Sequence, residues 1–238
     1  MSALAPGRAA EVARRVARVR ERIAAAAGAG GRDPAAVTLV AVAKLHPPEA
    51  VRAALAAGVA DIGENYAQDL VRKARLVPGV RWHFVGRLQR NKVKALVEHG
   101  ALVHSLDSLE LARELGRRAG EAATVARALV QVELAPRAAA HGVPAAELPG
   151  FVAACGHIDG LRLEGLMTMP PPAADPEAAR PAFRGLAELA RQLQPGMRDL
   201  SMGMTADLEV AVEEGATYVR VGTAVFGARP QTGGEELG

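Results

Sequence analysis

The feature that most constrains this chain is a repeated switch in its hydrophobic period. Apolar, strand-like runs stand at Thr38–Lys44, Val59–Gly63, Arg81–Gly86, Leu102–Leu106, Val125–Leu134, Leu161–Met167, Asp199–Met202 and Tyr218–Gly222. A stretch of helical spacing or a helical turn follows each of them. Such alternation requires a parallel sheet, because each strand is separated from the next by a crossover helix. Eight units in 238 residues lie close to the usual length of a (β/α)8 barrel, about 250 residues. The expectation is a single TIM-type barrel domain over residues 1–238, preceded by an N-terminal helix over 8–27 and trailing into a loose tail over 230–238. A doubly wound open sheet is the competing arrangement.

Half of the residues are hydrophobic but only 3% are aromatic. Such a chain has material for a core of tightly packed small side chains and too much of it to be disordered. One cysteine, Cys155, excludes an internal disulfide framework and a cysteine-based metal cluster. It is expected to be a buried, inert helix residue. No metal ligand set is expected elsewhere. The longest run without Asp, Glu, Lys or Arg, Leu148–Ile158, is too short to span a bilayer. With no secretory leader visible, the expectation is a cytoplasmic protein that does not engage membranes. The net charge of +3 does not by itself call for nucleic acid, and no DNA partner is expected.

In the N-terminal helix, Val12, Val16, Val19 and Ile23 form one apolar stripe. Arg14, Arg15, Arg18, Arg20 and Arg22 lie mainly around it. A solvated face on a packed helix is the favoured reading over an RNA-binding arm or a transit peptide. Gly28, Gly30 and Gly31 end this helix. They precede a strand and lack dinucleotide-fingerprint spacing.

In a barrel of this kind, chemistry sits at the C-terminal ends of the strands. Lys44 closes the first apolar run. Side chains alternate along a strand, so Lys44 shares a face with Val40 and Val42. A lysine in the barrel mouth is partly desolvated, which favours a nucleophilic amine. The alternative is a lysine that ends a strand and snorkels to water. After the last two strands come Met204-Thr205 and Gly222-Thr223. Barrels often bind phosphate at those two loops, although ordinary turns and caps use the same residues. Arg220 shares a strand face with Gly222 and needs an acceptor if buried. A salt bridge to Glu64 or Glu133 is the structural alternative. His83 either lines the pocket or is a satisfied core histidine, and the second is favoured. Arg81, Arg87, Arg90, Lys92 and Lys94 surround Trp82. They either contact nucleic-acid phosphates or form a solvated helix start.

The segments VAVAK (40–44), GENYAQ (63–68), WHFVGRLQRNK (82–92), HSLDS (104–108), GLMTM (165–169), SMGMTADLEVAVEEGAT (201–217) and VRVGTAVFGAR (219–229) run in order over nearly the whole chain. In these the sequence resembles the pyridoxal-phosphate homeostasis protein family, single-domain relatives of the alanine racemase barrel (fold type III). The resemblance implies a barrel that binds pyridoxal 5'-phosphate, with Lys44 as the Schiff-base lysine holding it as an internal aldimine. It implies Arg220 facing the pyridine nitrogen. Thr205, Gly222 and Thr223 would hold the phosphate, Met204 and Asn65 would lie near the cofactor, and His83 would border the ring. The sequence departs from the family pattern at Arg87 and Arg90, where small or apolar residues are common, and at Thr205, where serine is usual. Threonine keeps the hydroxyl.

The implied function is vitamin B6 cofactor homeostasis, holding pyridoxal phosphate and supplying it to PLP-dependent apoenzymes, without established catalytic turnover; a monomer is the default expectation. No catalytic residue is assigned. A racemase needs acid/base groups on both faces of the substrate carbon, and no second domain is expected after residue 229 to supply one. An arginine at the ring nitrogen also keeps that nitrogen unprotonated, which makes a poorer electron sink. The first alternative is a low-activity amino-acid racemase using Tyr66 or His83 as the opposite-face group. The second is an RNA-binding protein using Arg14–Arg22 and Arg87–Lys94.

Overall fold

A computed structural model describes residues 6–134, 141–193 and 196–228. The tail expected over 230–238 lies outside the described residues. Eight parallel strands form the barrel: β1 (Thr38–Val42), β2 (Asp61–Glu64), β3 (Arg81–Phe84), β4 (Leu102–Leu106), β5 (Ala126–Glu133), β6 (Leu161–Met167), β7 (Asp199–Ser201) and β8 (Tyr218–Val221). Each pairs with its neighbours in sequence. The pairing of β1 with β8, Thr38 opposite Tyr218 and Val40 opposite Arg220, closes the ring. The open-sheet alternative is thereby excluded. A short extra strand, Val143–Pro144, adds beside the end of β5. Two residues carry no periodicity, so the sequence gives no sign of it.

Nine helices are seen among the described residues: α1 (Pro6–Ala29), α2 (Pro48–Ala56), α3 (Ala67–Leu76), α4 (Val93–Glu98), α5 (Leu109–Glu121), α6 (Leu148–Cys155), α7 (Arg180–Gln192), α8 (Leu208–Glu213) and α9 (Thr223–Phe226). Their starts follow local chemistry. The Ser108 side chain accepts the Leu111 N–H at the start of α5. Proline stands in the first turn of α2, α6 and α7, where its missing N–H costs nothing. The expected strand ends at Lys44 and Gly86 are corrected to Val42 and Phe84. In both places the backbone leaves the ladder to build the mouth of the barrel.

The main core lies between the barrel wall and the helices. The barrel interior holds a smaller apolar cluster, Leu102, Leu129 and Met167 with Tyr218 packed on it, together with buried polar groups. Cys155 is buried in α6, and burial pushes its thiol up to about 11.

The helix α1 buries the stripe Val12, Val16, Val19 and Ile23 and packs against α2, α8 and α9. Its arginines do more than face solvent. Arg20 donates to the carbonyls of Ala57 (3.2 Å) and Gly58 (2.8 Å). Arg22 grips both oxygens of Glu209 (2.6 and 2.8 Å) and the Thr205 carbonyl (3.0 Å). Arg14 and Arg18 remain exposed and pair with Glu11. The solvated-face expectation therefore holds for part of the helix, and the others staple it to the barrel. Ile23→Ala should lower the unfolding free energy by about 2–4 kcal/mol, as measured by urea denaturation.

Candidate functional site

A cavity of about 330 Å³ opens at the C-terminal ends of the strands. Lys44, Asn65, Met204, Thr205, Arg220, Gly222 and Thr223 all line it. His83 does not. It lies on the opposite, N-terminal mouth, in a second cavity of about 390 Å³ with Asp61, Arg81, Arg127 and Tyr218. Its ring there meets Asp61 Oδ1 at 3.0 Å and His104 Nε2 at 2.9 Å. The satisfied core histidine is thus the reading the structure favours, and His83 is withdrawn as a residue of the upper cavity. Strand alternation explains the difference. Arg81, His83 and Val85 share a face, but two residues of strand rise nearly 7 Å. Val85 reaches the upper cavity, and His83 sits one step below it.

Lys44 is half-buried in a turn just beyond β1. The His46 N–H donates to the Ala43 carbonyl (3.0 Å) and closes this turn. Leu45 follows at φ +63° with its side chain exposed. Leucine rarely adopts that left-handed conformation, and such strain collects at functional sites. His46 is buried against Phe226, ring centroids 5.1 Å apart, and also lines the cavity. Sequence reasoning passed over His46, and its position two residues after Lys44 is the only signal for it.

The turn is anchored from below by a pair that the sequence reading missed. Lys73 of α3 and Glu64 of β2 are both fully buried and hydrogen-bonded. Lys73 Nζ also donates to the Ala43 carbonyl at 2.8 Å. The other Glu64 oxygen accepts the Asn65 N–H at 3.2 Å. One ion pair therefore braces the residues preceding Lys44 and Asn65. Burial raises the Glu64 carboxyl above its ordinary value, and the Lys73 ammonium pulls it back. Asn65 is further held by Gly86. A Cβ on Gly86 would lie 2.2 Å from the Asn65 carbonyl oxygen. The Asn65 Oδ1 atom is buried with no hydrogen-bond partner among the described residues.

Arg220 is 6% exposed. Its donors go to Ser201 Oγ (2.5 Å) and the Thr168 carbonyl (3.1 Å), so neither Glu64 nor Glu133 is its partner. Burial lowers its pKa to about 10, which leaves it charged at neutral pH. The two expected phosphate loops converge on the same cavity. Gly203, at φ +88°, brings the first loop close against α8, where a Cβ would sit 2.4 Å from the Ala211 Cβ. The Met204 N–H donates to Asp207 Oδ1 (2.6 Å). From outside, Arg22 fixes the Thr205 carbonyl. In the second loop, Gly222 approaches the Val42 carbonyl oxygen, which would lie 3.4 Å from a Cβ there.

The described lining of the upper cavity carries Lys44 and Arg220 and no Asp or Glu. Such a cavity attracts an anion. Of the basic stretch read as a possible nucleic-acid contact, Arg87, Arg90 and Lys94 are exposed, and Lys94 pairs with Glu98 at 3.7 Å. Tyr66, a candidate opposite-face group, is 54% exposed and does not line the cavity.

Three comparisons place this geometry among known proteins. The family "Alanine racemase, N-terminal domain" matches residues 15–230. A pyridoxal phosphate homeostasis protein of Pseudomonas aeruginosa is 44% identical over 220 residues, covering 92% of this chain and 96% of that protein. One of Escherichia coli K12 is 38% identical over 231 residues, with coverage of 92% and 97%. The solved structure of PipY from Synechococcus elongatus, with PLP bound, superposes with a TM-score of 0.81 at 35% identity. It covers 91% of this chain and 100% of that one.

The buried pair gives a direct test of the site's scaffold. Lys73→Met should cost about 3–5 kcal/mol, because it strands a buried carboxylate. The double change Lys73→Met with Glu64→Gln should cost less than the single one. Urea unfolding of both variants checks the difference.

Proposed function

The chain belongs to the pyridoxal phosphate homeostasis proteins of the alanine racemase N-terminal domain family, and from that premise we propose that its upper cavity holds pyridoxal 5'-phosphate for storage and supply. The observation that carries this reading is the cavity lining itself, two cationic side chains and two hydroxyl side chains with no Asp or Glu among the described lining residues. The residues fit the cofactor's chemistry. Its phosphate needs donors and positive potential, its ring nitrogen needs a donor, and its phenolic oxygen offers an acceptor. Asn65, with its unpartnered buried oxygen, leaves polar capacity for a bound molecule. The volume lies at the lower end for small-ligand sites.

When bound, pyridoxal phosphate supplies an aldehyde that condenses with a primary amine and releases water. Lys44 Nζ is the amine at this site. Arg220, which cannot give up its proton near neutral pH, would donate to the ring nitrogen and so keep it unprotonated. Thr205 and Thr223 would donate hydroxyls to the phosphate, and Gly222 would let the backbone come close. Met204, also in the lining, would pack beside the ring.

The role is carrying and delivering the cofactor to apoenzymes, with no catalytic turnover of its own. Racemisation requires an acid/base group opposite the lysine. Neither Tyr66 nor His83 lines the cavity, which weakens the racemase alternative. Five of the α1 arginines make contacts within the protein: Arg14, Arg15 and Arg18 with Glu11, Arg20 with main-chain carbonyls, and Arg22 with Glu209 and a main-chain carbonyl, which weakens the RNA-binding one. No helix among the described residues is long and apolar enough to cross a membrane.

Adding pyridoxal phosphate to the purified protein should produce a visible absorption band that Lys44→Ala lacks. Borohydride reduction followed by mass spectrometry should locate the adduct on Lys44, and no band and no adduct would defeat the proposal. Thr205→Ala and Thr223→Ala should each weaken affinity by about 1 kcal/mol or somewhat more, read by equilibrium titration. Unchanged affinity in both would remove the phosphate assignment.

A further inference from the structure

A line of buried polar side chains crosses the barrel interior from the lower cavity to the upper one. It begins at Asp61, which accepts from Arg81 (Nε at 2.9 Å, Nη2 at 2.5 Å) and meets His83 Nε2 at 3.0 Å. His83 Nδ1 meets His104 Nε2 at 2.9 Å, and His104 Nδ1 meets Ser201 Oγ at 2.7 Å. Ser201 Oγ accepts from Arg220 Nη1 at 2.5 Å. His104 and Ser201 are fully buried, and His83 nearly so.

We infer that Ser201, His104, His83 and Asp61 are positioning residues for Arg220, forming a one-way hydrogen-bonded chain that holds its guanidinium at the floor of the upper cavity. This rests on the proposed contact between Arg220 and the cofactor ring. The two ends fix the direction. Arginine can only donate, and an ionised carboxylate can only accept. Burial alone would raise the Asp61 carboxyl, but hydrogen bonds from His83 and Arg81 bring it down to about 2, so it is ionised. His83 then donates through Nε2 and accepts at Nδ1. His104 donates through Nε2 and accepts the Ser201 hydroxyl hydrogen at Nδ1. Every proton has an acceptor and both rings are neutral.

The opposite direction would make His83 donate through both nitrogens. It would also place two donors on Ser201 Oγ, whose own hydrogen would have no other acceptor among the described residues. Besides Asp61, the charged groups around the rings include Arg81, Arg127, Asp199 and Arg220, and burial above all, with Arg220 and Arg127 adding to it, drives His104 well below its ordinary pKa. The Tyr218 ring packs edge-on to both histidines, 5.5 and 5.7 Å away, and holds their planes. The Ser201 and Thr168 acceptors together fix two corners of the guanidinium. Arg220 also lines the upper cavity.

Two measurements test the chain. In wild-type protein without added cofactor, 15N-histidine NMR reads the tautomers directly. Neutral His83 and His104, each protonated on Nε2, are expected near pH 7. A hydrogen on His104 Nδ1, or a doubly protonated His83, overturns the assignment. The visible band of bound pyridoxal phosphate is then titrated with pH in wild type, Arg220→Lys, Ser201→Ala and Asp61→Asn. Asp61→Asn changes only the far end, in the other mouth. Its midpoint should shift by about half a pH unit or more, as expected when a charged hydrogen-bond acceptor is replaced by a neutral one. Ser201→Ala and Arg220→Lys should shift it in the same direction. A shift in Arg220→Lys alone overturns the chain and leaves the ring contact standing. Wild-type behaviour in all three overturns both. Should a variant fail to fold, the wild-type tautomers still decide.

Discussion

The buried ion pair between Lys73 and Glu64 is the contact on which the upper mouth depends. Its ammonium holds the carbonyl before Lys44, and its carboxylate holds the N–H of Asn65. Two charges withdrawn from water are seldom a net source of stability. What the pair supplies here is placement. It ties a helix outside the barrel to the ends of two adjacent strands, so the turn bearing Lys44 cannot drift relative to the residue beside it.

The same division of labour recurs around the ring. The outer layer positions loops, and the loops present the chemistry. Arg22 reaches in from α1 to the Thr205 carbonyl while gripping Glu209 of α8. Gly203 lets that loop lie against Ala211. A basic residue of a stretch that resembles a nucleic-acid surface is thus used to fix a loop of the upper cavity. The two mouths of the barrel have opposite characters. The lower one pairs its arginines with Asp61 and Glu164. In the upper one, Lys44 and Arg220 share the described lining with no acid.

Much of this was readable in advance. Strand and helix positions follow the alternation of hydrophobic periods to within a few residues, because burial of one face is what those periods encode. Residues at strand ends could be picked out for the same reason, and Lys44, Asn65, Met204, Thr205, Arg220, Gly222 and Thr223 do meet. Lys73 was invisible. On a helix otherwise rich in charged residues it reads as a solvated lysine, and only the partner it finds across the fold makes it a core residue. His104 and Ser201 were likewise unremarked, since a single polar residue in a strand does not announce its partners.

The order of apolar runs determined the number of strands, their parallel direction and the end of the barrel at which the loops gather. Tertiary structure alone decided depth. Residue identity and alternation say which face a side chain takes, and closure of the ring sets how far up the interior it stands. That is why His83 and Val85, two residues apart on one face, serve opposite mouths. It is also why Asp61, His83, His104 and Ser201, drawn from four strands, fall into a single hydrogen-bonded line.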